Sequence, residues 1–192
     1  MELHDIMKEP WLPSDATVSL IQSIGEEVDY RRGSLLVEQG KRSYYFYIIK
    51  KGMCRSFYSD ENYEDTNLFA KDGDIIGSVT SYFGNLPAKF SVEALTDLTV
   101  LRVSFSDLKK AMDESVELTA WVRDLLFGQI NCLERRYAYR SARDNSYERY
   151  VLLIERWEHT DIKNVPLKYI AQYLQITPQM LSKIRKKYLM EH

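Results

Sequence analysis

The sequence predicts an α+β protein in three successive parts: an N-terminal β-roll of double-stranded β-helix type over residues 1–114, one long helix over 115–141, and a helical C-terminal domain over 142–192. Three observations carry this reading. Between residues 27 and 103, short apolar or alternating runs recur with six of the eight glycines set between them. From 115 to 141 a helical apolar period continues without a proline. Residues 167–184 then carry the apolar spacing of two short crossed helices.

After Pro13 the capping residues Ser14 and Asp15 precede Val18, Ile21 and Ile24 at helical spacing, so a short helix comes first. The next stretch reads V-D-Y, S-L-L-V, Y-F-Y-I-I, M-C-R-S-F-Y, T-N-L-F-A, D-I-I, F-S-V-E-A-L and L-T-V-L-R-V. Short runs rich in β-branched and aromatic residues suit pleated, half-buried strands. Gly33, Gly40, Gly52, Gly73, Gly77 and Gly84 stand between them as turn residues. Many short strands at close spacing predict a small barrel or roll.

Beyond Ser104, F-S-D-L-K-K-A-M restores the helical period and the long run follows. In it Leu118, Trp121, Leu125, Gly128, Cys132 and Arg135 recur at spacings of 3 and 4, a heptad-like seam on a helix of about 39 Å. That length outreaches a small roll. Leu118, Trp121, Leu125, Gly128 and Cys132 are therefore expected to meet the same face of a second chain, with Gly128 allowing close approach; packing on the chain's own roll is the alternative. R-S-A-R-D-N-S-Y-E-R breaks the helix, and Asp144, Asn145 or Ser146 is expected to cap a further one running to His159.

Composition narrows the function classes. With 45% hydrophobic and 28% charged residues the chain is an ordinary folding sequence. Its first ten residues lack the basic start and apolar stretch of a secretory signal, and no run of eighteen apolar residues occurs, so a cytoplasmic location without a membrane partner is expected. Cys54 and Cys132 are too far apart for a zinc or iron-sulfur ligand pair, and His4, His159 and His192 are isolated, so no metal or cofactor is expected. The net charge of −2 is unevenly spread: residues 1–130 carry −7 and residues 131–192 carry +5. A basic end on an acidic body points to a polyanion held at the C-terminal end.

The most specific local pattern is L-K-Y-I-A-Q-Y-L-Q-I-T-P-Q-M-L-S-K-I, residues 167–184. Counted from Leu167 as the first position, Ile170, Leu174, Ile176, Leu181 and Ile184 are the apolar positions through which two crossed helices share a small core, and Ala171 lies where they approach. Thr177 is placed to cap the second helix, with Pro178 in its first turn, where a missing N–H is harmless. This is a helix-turn-helix pattern, with Gln175 in the turn position that often takes glycine. Duplex DNA is the partner such a motif reads. The second helix then presents Gln179, Met180, Ser182 and Lys183 to the groove, with Thr177 at its start and Arg185, Lys186 and Lys187 farther along. By chemistry Gln179 suits adenine, Lys183 suits guanine O6 or N7, and the remaining cations suit phosphates.

The succession of helix, glycine-punctuated roll, long helix and helix-turn-helix resembles the Crp/Fnr superfamily of bacterial transcription regulators along essentially the whole chain. K-D-G-D-I-I-G-S-V and P-A-K-F-S-V-E-A-L-T-D resemble that superfamily's phosphate-binding cassette and the following strand. The resemblance implies a cyclic-nucleotide-binding-like roll, a homodimer along the long helix and a palindromic DNA site. RNA polymerase and a small-molecule effector enter as further candidate partners, the effector pocket falling at Gly77, Ser78, Val79, Ala88, Lys89 and Phe90. Members that bind cyclic AMP carry Gly-Glu at the cassette start and an Arg-Ser pair about ten residues on. Here Ser78 follows Gly77, and Ala88 and Lys89 stand where Arg and Ser would. Lysine lacks arginine's bidentate fork, so cyclic AMP is not the expected effector.

Two rival readings differ in class. Metal-dependent roll enzymes need clustered histidines, and no histidine falls between residues 27 and 103. A sensor whose terminal helices bind a protein instead of DNA is distinguished by the absence of salt-sensitive duplex binding.

Overall fold

The computed structural model describes residues 13–141, 146–156, 162 and 165–191. Helix α1 (Asp15–Ile24) begins where Ser14 Oγ accepts the Thr17 N–H at 3.2 Å, and it buries Thr17, Val18 and Ile21. Eight strands follow: β1 (Gly25–Tyr30), β2 (Leu35–Val37), β3 (Tyr45–Lys51), β4 (Met53–Ser59), β5 (Glu64–Lys71), β6 (Ile75–Gly77), β7 (Ser91–Ala94) and β8 (Leu98–Ser104). Each falls on one of the runs read from sequence. A six-residue helix α2 (Val79–Gly84) interrupts them after β6, capped by Ser78 and closed by Asn85 in the left-handed region. Then come α3 (Phe105–Glu114), α4 (Val116–Ser141), α5 (Ser146–Arg156), α6 (Leu167–Leu174) and α7 (Pro178–Glu191).

The strands form two four-stranded antiparallel sheets, ordered β1-β8-β3-β6 and β2-β7-β4-β5. This is the α+β roll expected from sequence. Side-chain alternation sorts the strand residues into cores. Tyr47, Ile49, Leu98 and Val100 point between the sheets, where they meet Leu36, Val37, Cys54, Ala70, Val92 and Ala94. On the outer face of the first sheet, Ile48, Leu101 and Val103 pack with Val18, Ile21, Leu108, Ala111, Leu118 and Val122 from α1, α3 and α4. On the outer face of the second sheet, Met53 and Phe69 join Tyr150, Leu153, Ile170, Ala171, Leu174, Leu181 and Ile184 of the C-terminal helices. Both sheets are thus covered on both faces.

Two glycines are required by geometry. Gly52, in the turn between β3 and β4, has φ +102°, and a Cβ there would lie 2.4 Å from the Asp97 carbonyl oxygen. Gly77 leaves room for Phe46, whose ring a Cβ would approach to 2.7 Å. Phe46 in turn stacks within about 5 Å of Tyr82 and Phe105, which anchors α2 and the start of α3 to the sheet.

The long helix corrects one expectation. Leu118, assigned to a seam with a second chain, is wholly buried in the roll's own core beside Val122, with Trp121 packed against it. The first turns of α4 serve the chain's own sheet because they lie over Ile48, Leu101 and Val103. Farther along, Leu125 is half-buried and Gly128 buried, while Phe127 and Ile130 stand 62% and 50% exposed. The Cys132 side chain, the caps at 144 and 145, and residues 157–160 lie outside the described residues. Leu118→Ala is expected to destabilise the folded chain by about 2–5 kcal/mol through lost burial and a residual cavity. Urea unfolding at two protein concentrations measures it: the loss is the same at both if Leu118 is intrachain core.

Candidate nucleic-acid interface

Helix α6 ends as the spacing requires. Gln175 takes the left-handed conformation (φ 53°, ψ 48°), and its N–H bonds back to Gln172 and Ala171 carbonyls. The peptide of Ile176 returns to Ala171 at 3.0 Å. A side chain in that conformation costs on the order of 1 kcal/mol, which the shared core of Ile170, Ala171, Leu174, Leu181 and Ile184 outweighs. Thr177 Oγ1 accepts the Met180 N–H at 3.1 Å, capping α7 with Pro178 as its first residue.

With Leu181 and Ile184 inward, Gln179, Lys183 and Lys186 form an outward stripe at spacings of 4 and 3, all exposed. Met180 is 45% exposed beside it. The exposed Ser182 hydroxyl donates to the Pro178 carbonyl of its own helix at 3.0 Å. Lys183 and Lys186 make no ion pair among the described residues. The two other expected cations are turned toward their own domain. Arg185 is half-buried against Tyr150, whose phenol burial raises and Arg185 lowers, for a net upward shift. Lys187 lies 4.2 Å from the centre of the Tyr147 ring and 3.7 Å from Glu191. The Tyr147 hydroxyl donates to that same Glu191 carboxylate, a bond that pushes the phenol up to about 12. Apolar periodicity could not reveal this, because it does not say which neighbouring helix receives a long side chain.

The six residues expected at an effector pocket differ in burial and in role. Ser78 caps α2, accepting the Ser81 N–H at 3.2 Å, and Ala88 is sealed in the core between the sheets. Val79, Lys89 and Phe90 are exposed, and Gly77 belongs to β6. Tyr47, missed by the sequence reading, enters the inter-sheet space instead and donates to the Leu36 carbonyl at 2.8 Å. Burial, reinforced by Tyr30, drives its phenol well above its ordinary range. The alternation in Y-F-Y-I-I was the available signal. Among the described residues no group of His, Cys, Asp and Glu could hold a metal ion, and no helix is long and apolar enough to cross a membrane.

Sequence reasoning also missed the junction between the C-terminal helices and the second sheet. Arg55 of β4 is 2% exposed. Its Nε donates to Glu93 at 2.7 Å and its Nη1 to Glu64 at 3.1 Å and Thr66 at 3.0 Å. Thr66 donates to Gln172 of α6 at 2.8 Å, and the Arg55 guanidinium lies 3.6 Å from the centre of the Tyr169 ring. A cavity of about 370 Å³ opens beside this junction, between Tyr63, Glu64 and Asp65 and the turn at Gln175, Ile176 and Pro178.

Burial by itself would raise the Glu64 carboxyl, but the hydrogen bond and charge of Arg55, then Gln172 and Lys168, outweigh it and hold the group below its ordinary value of 4.5. A carboxyl lowered on folding adds stability that is fully present above its unfolded value and is lost as pH falls through the folded one. The stability advantage of wild type over Glu64→Gln should therefore be constant at neutral pH and shrink below about pH 4.5, as read by urea titrations across the acid range.

Residues 27–115 match the model of the cyclic nucleotide-binding domain family. No curated protein matches the sequence. Among solved structures, FixK2 from Bradyrhizobium japonicum is similar with a TM-score of 0.76 at 19% identity, covering 88% of this chain and 86% of that one. The c-di-GMP responsive global regulator CLP of Xanthomonas campestris is similar with a TM-score of 0.73 at 11% identity, with 93% of each chain covered. The Thermus thermophilus catabolite activator protein gives 0.58 at 17% identity, over 93% of this chain and 84% of that one. At these identities the likeness establishes the fold.

Proposed function

From the match of residues 27–115 to the cyclic nucleotide-binding domain family and a fold similar over most of the chain to FixK2 and the catabolite activator protein, we propose that this protein is a homodimeric, sequence-specific DNA-binding transcription regulator of Crp/Fnr type. The observation that carries the reading is the exposed stripe Gln179, Lys183 and Lys186 on a capped helix whose opposite face is anchored by Leu181 and Ile184. Gln179, Met180, Ser182 and Lys183 near the start of α7 read base edges, and Lys186 holds a phosphate. Thr177 sets the helix start. Arg185 and Lys187, engaged within their own domain, contribute less than Lys186.

The second chain docks along α4 beyond the turns given to the roll, using Leu125, Gly128 and Cys132; Trp121, assigned to the same seam from sequence, is engaged with the roll. Phe127 and Ile130 add exposed apolar surface to the same helix. A two-fold dimer then sets its α7 helices about one helical turn of DNA apart. Selection of bound duplexes from a random pool tests the reading directly: enrichment of a palindrome supports it, and salt-insensitive or absent duplex binding removes it.

Lys183→Ala is expected to weaken binding by about 1–3 kcal/mol at one base position of each half-site, leaving unrelated duplexes nearly unaffected. Lys186→Ala should weaken all duplexes alike and reduce the slope of log affinity against log salt by about one, with a smaller change for Lys187→Ala. Binding isotherms on the selected and scrambled duplexes at several salt concentrations separate these outcomes. Cyclic AMP is not the effector in this reading, because no arginine stands in the cassette and Tyr47 and Ala88 fill the space between the sheets. Calorimetric titration of cyclic AMP into the dimer should show no binding at micromolar concentrations.

A further inference from the structure

The C-terminal helices are joined to the roll by a buried cation. On β4, Cys54 points between the sheets, so its neighbours Met53 and Arg55 point to the outer face, toward the helix-turn-helix. The guanidinium there is shared among three strands and a helix. In its plane it donates to Glu93 of β7 and to Glu64 and Thr66 of β5. Its carbon lies 4.1 Å from the centre of the Phe57 ring and 3.6 Å from that of Tyr169. Tyr169 and Gln172 are three apart on α6 and hence on one helical face. Tyr169 meets the cation, while Gln172 accepts from Thr66 at 2.8 Å and donates to Glu64 at 3.4 Å. One turn along, Tyr173 packs on Phe69 of β5 with ring centres 5.2 Å apart.

We propose that Arg55 is a positioning residue for DNA recognition: it holds the first helix of the helix-turn-helix on the roll through Tyr169 and Gln172, and so sets where the outward stripe of α7 stands. The inference rests on the DNA-binding reading above. Two features favour positioning over simple roll stability. Arg55 stands on the outer face of its sheet with Met53, on the side opposite the core between the sheets that closes the roll. The nearer of its two aromatic partners, Tyr169, and its relayed hydrogen bond both lie on α6. In this docked arrangement Gln179, Met180, Ser182 and Lys183 remain exposed, so docking leaves the DNA face open. Affinity falls in proportion to the fraction of molecules held in the competent arrangement. A planar, five-donor guanidinium satisfies the site in a way an ammonium does not.

The test uses the full-length dimer and the duplex selected by the wild type. Arg55→Met and Arg55→Lys should each bind that duplex about tenfold more weakly, the lysine variant failing to rescue because charge alone does not restore the fork. The salt slope should stay at its wild-type value, since the phosphate contacts of the bound state are unchanged. Without DNA, amide exchange of α6 should quicken while β1 and β8 keep their protection. Gln172→Leu should weaken binding in the same direction and add nothing to Arg55→Met, as expected for one shared path. Unchanged affinity in an Arg55→Met variant whose roll stays protected would overturn the proposal. So would tighter binding, which would make the docked arrangement the closed one. If Arg55→Met loses its roll protection, Gln172→Leu decides, and wild-type affinity there overturns the proposal. A wild type that enriches no duplex overturns the DNA-binding reading and this inference with it, whereas a binding wild type with unaffected variants overturns this inference alone.

Discussion

The second sheet is buried on both faces, and most of the molecule follows from that constraint. Successive residues of β4 and β5 serve two cores: Cys54 and Ala70 enter the space between the sheets, while Met53, Arg55 and Phe69 face the C-terminal helices. Because the side-chain period is two, a one-residue slip would move the Arg55 guanidinium into the apolar interior and Cys54 to the junction. The register Cys54↔Ala70 and Arg55↔Phe69 is therefore enforced by charge as well as by packing. The C-terminal helices inherit their place from that register.

Burying a cation is tolerable only where partners surround it. Arg55 has two carboxylates, a hydroxyl and two ring faces. The cost is met by the acidic body of the chain, which supplies Glu64 and Glu93 at that point. The cations of the C-terminal helices divide differently. Lys183 and Lys186 stay in solvent, Arg185 turns toward Tyr150, and Lys187 turns to Tyr147 and Glu191. A surplus of positive charge is thus not the same as positive charge available to a polyanion. What matters is which helical face each cation shares with the apolar residues that fix the helix.

The long helix and the cassette region show the same division of labour within one element. The first turns of α4 close the chain's own roll with Leu118 and Val122, and the exposed apolar residues Phe127 and Ile130 come later. In the cassette, Ser78 spends its hydroxyl on capping α2, and Ala88 is tied to the loop before β3 by backbone bonds with Gly40 and Lys41.

Local rules sufficed for much of this protein. Short apolar runs between glycines marked all eight strands because a pleated, half-buried strand tolerates little else. The C-terminal helix pair was legible because Ile170, Ala171, Leu174, Leu181 and Ile184 must share one small core, and because Thr177, as a capping acceptor, and Pro178, which lacks an N–H, mark a helix start. These are interactions among residues close in sequence. Tertiary structure decided the rest: that Leu118 belongs to its own roll, that Tyr47 occupies the inter-sheet space, that Lys187 folds back on Tyr147, and that Arg55 meets residues more than a hundred positions away. A side chain's periodicity tells which face it lies on, but its chemistry depends on what is packed against that face, and only the folded chain brings those partners together.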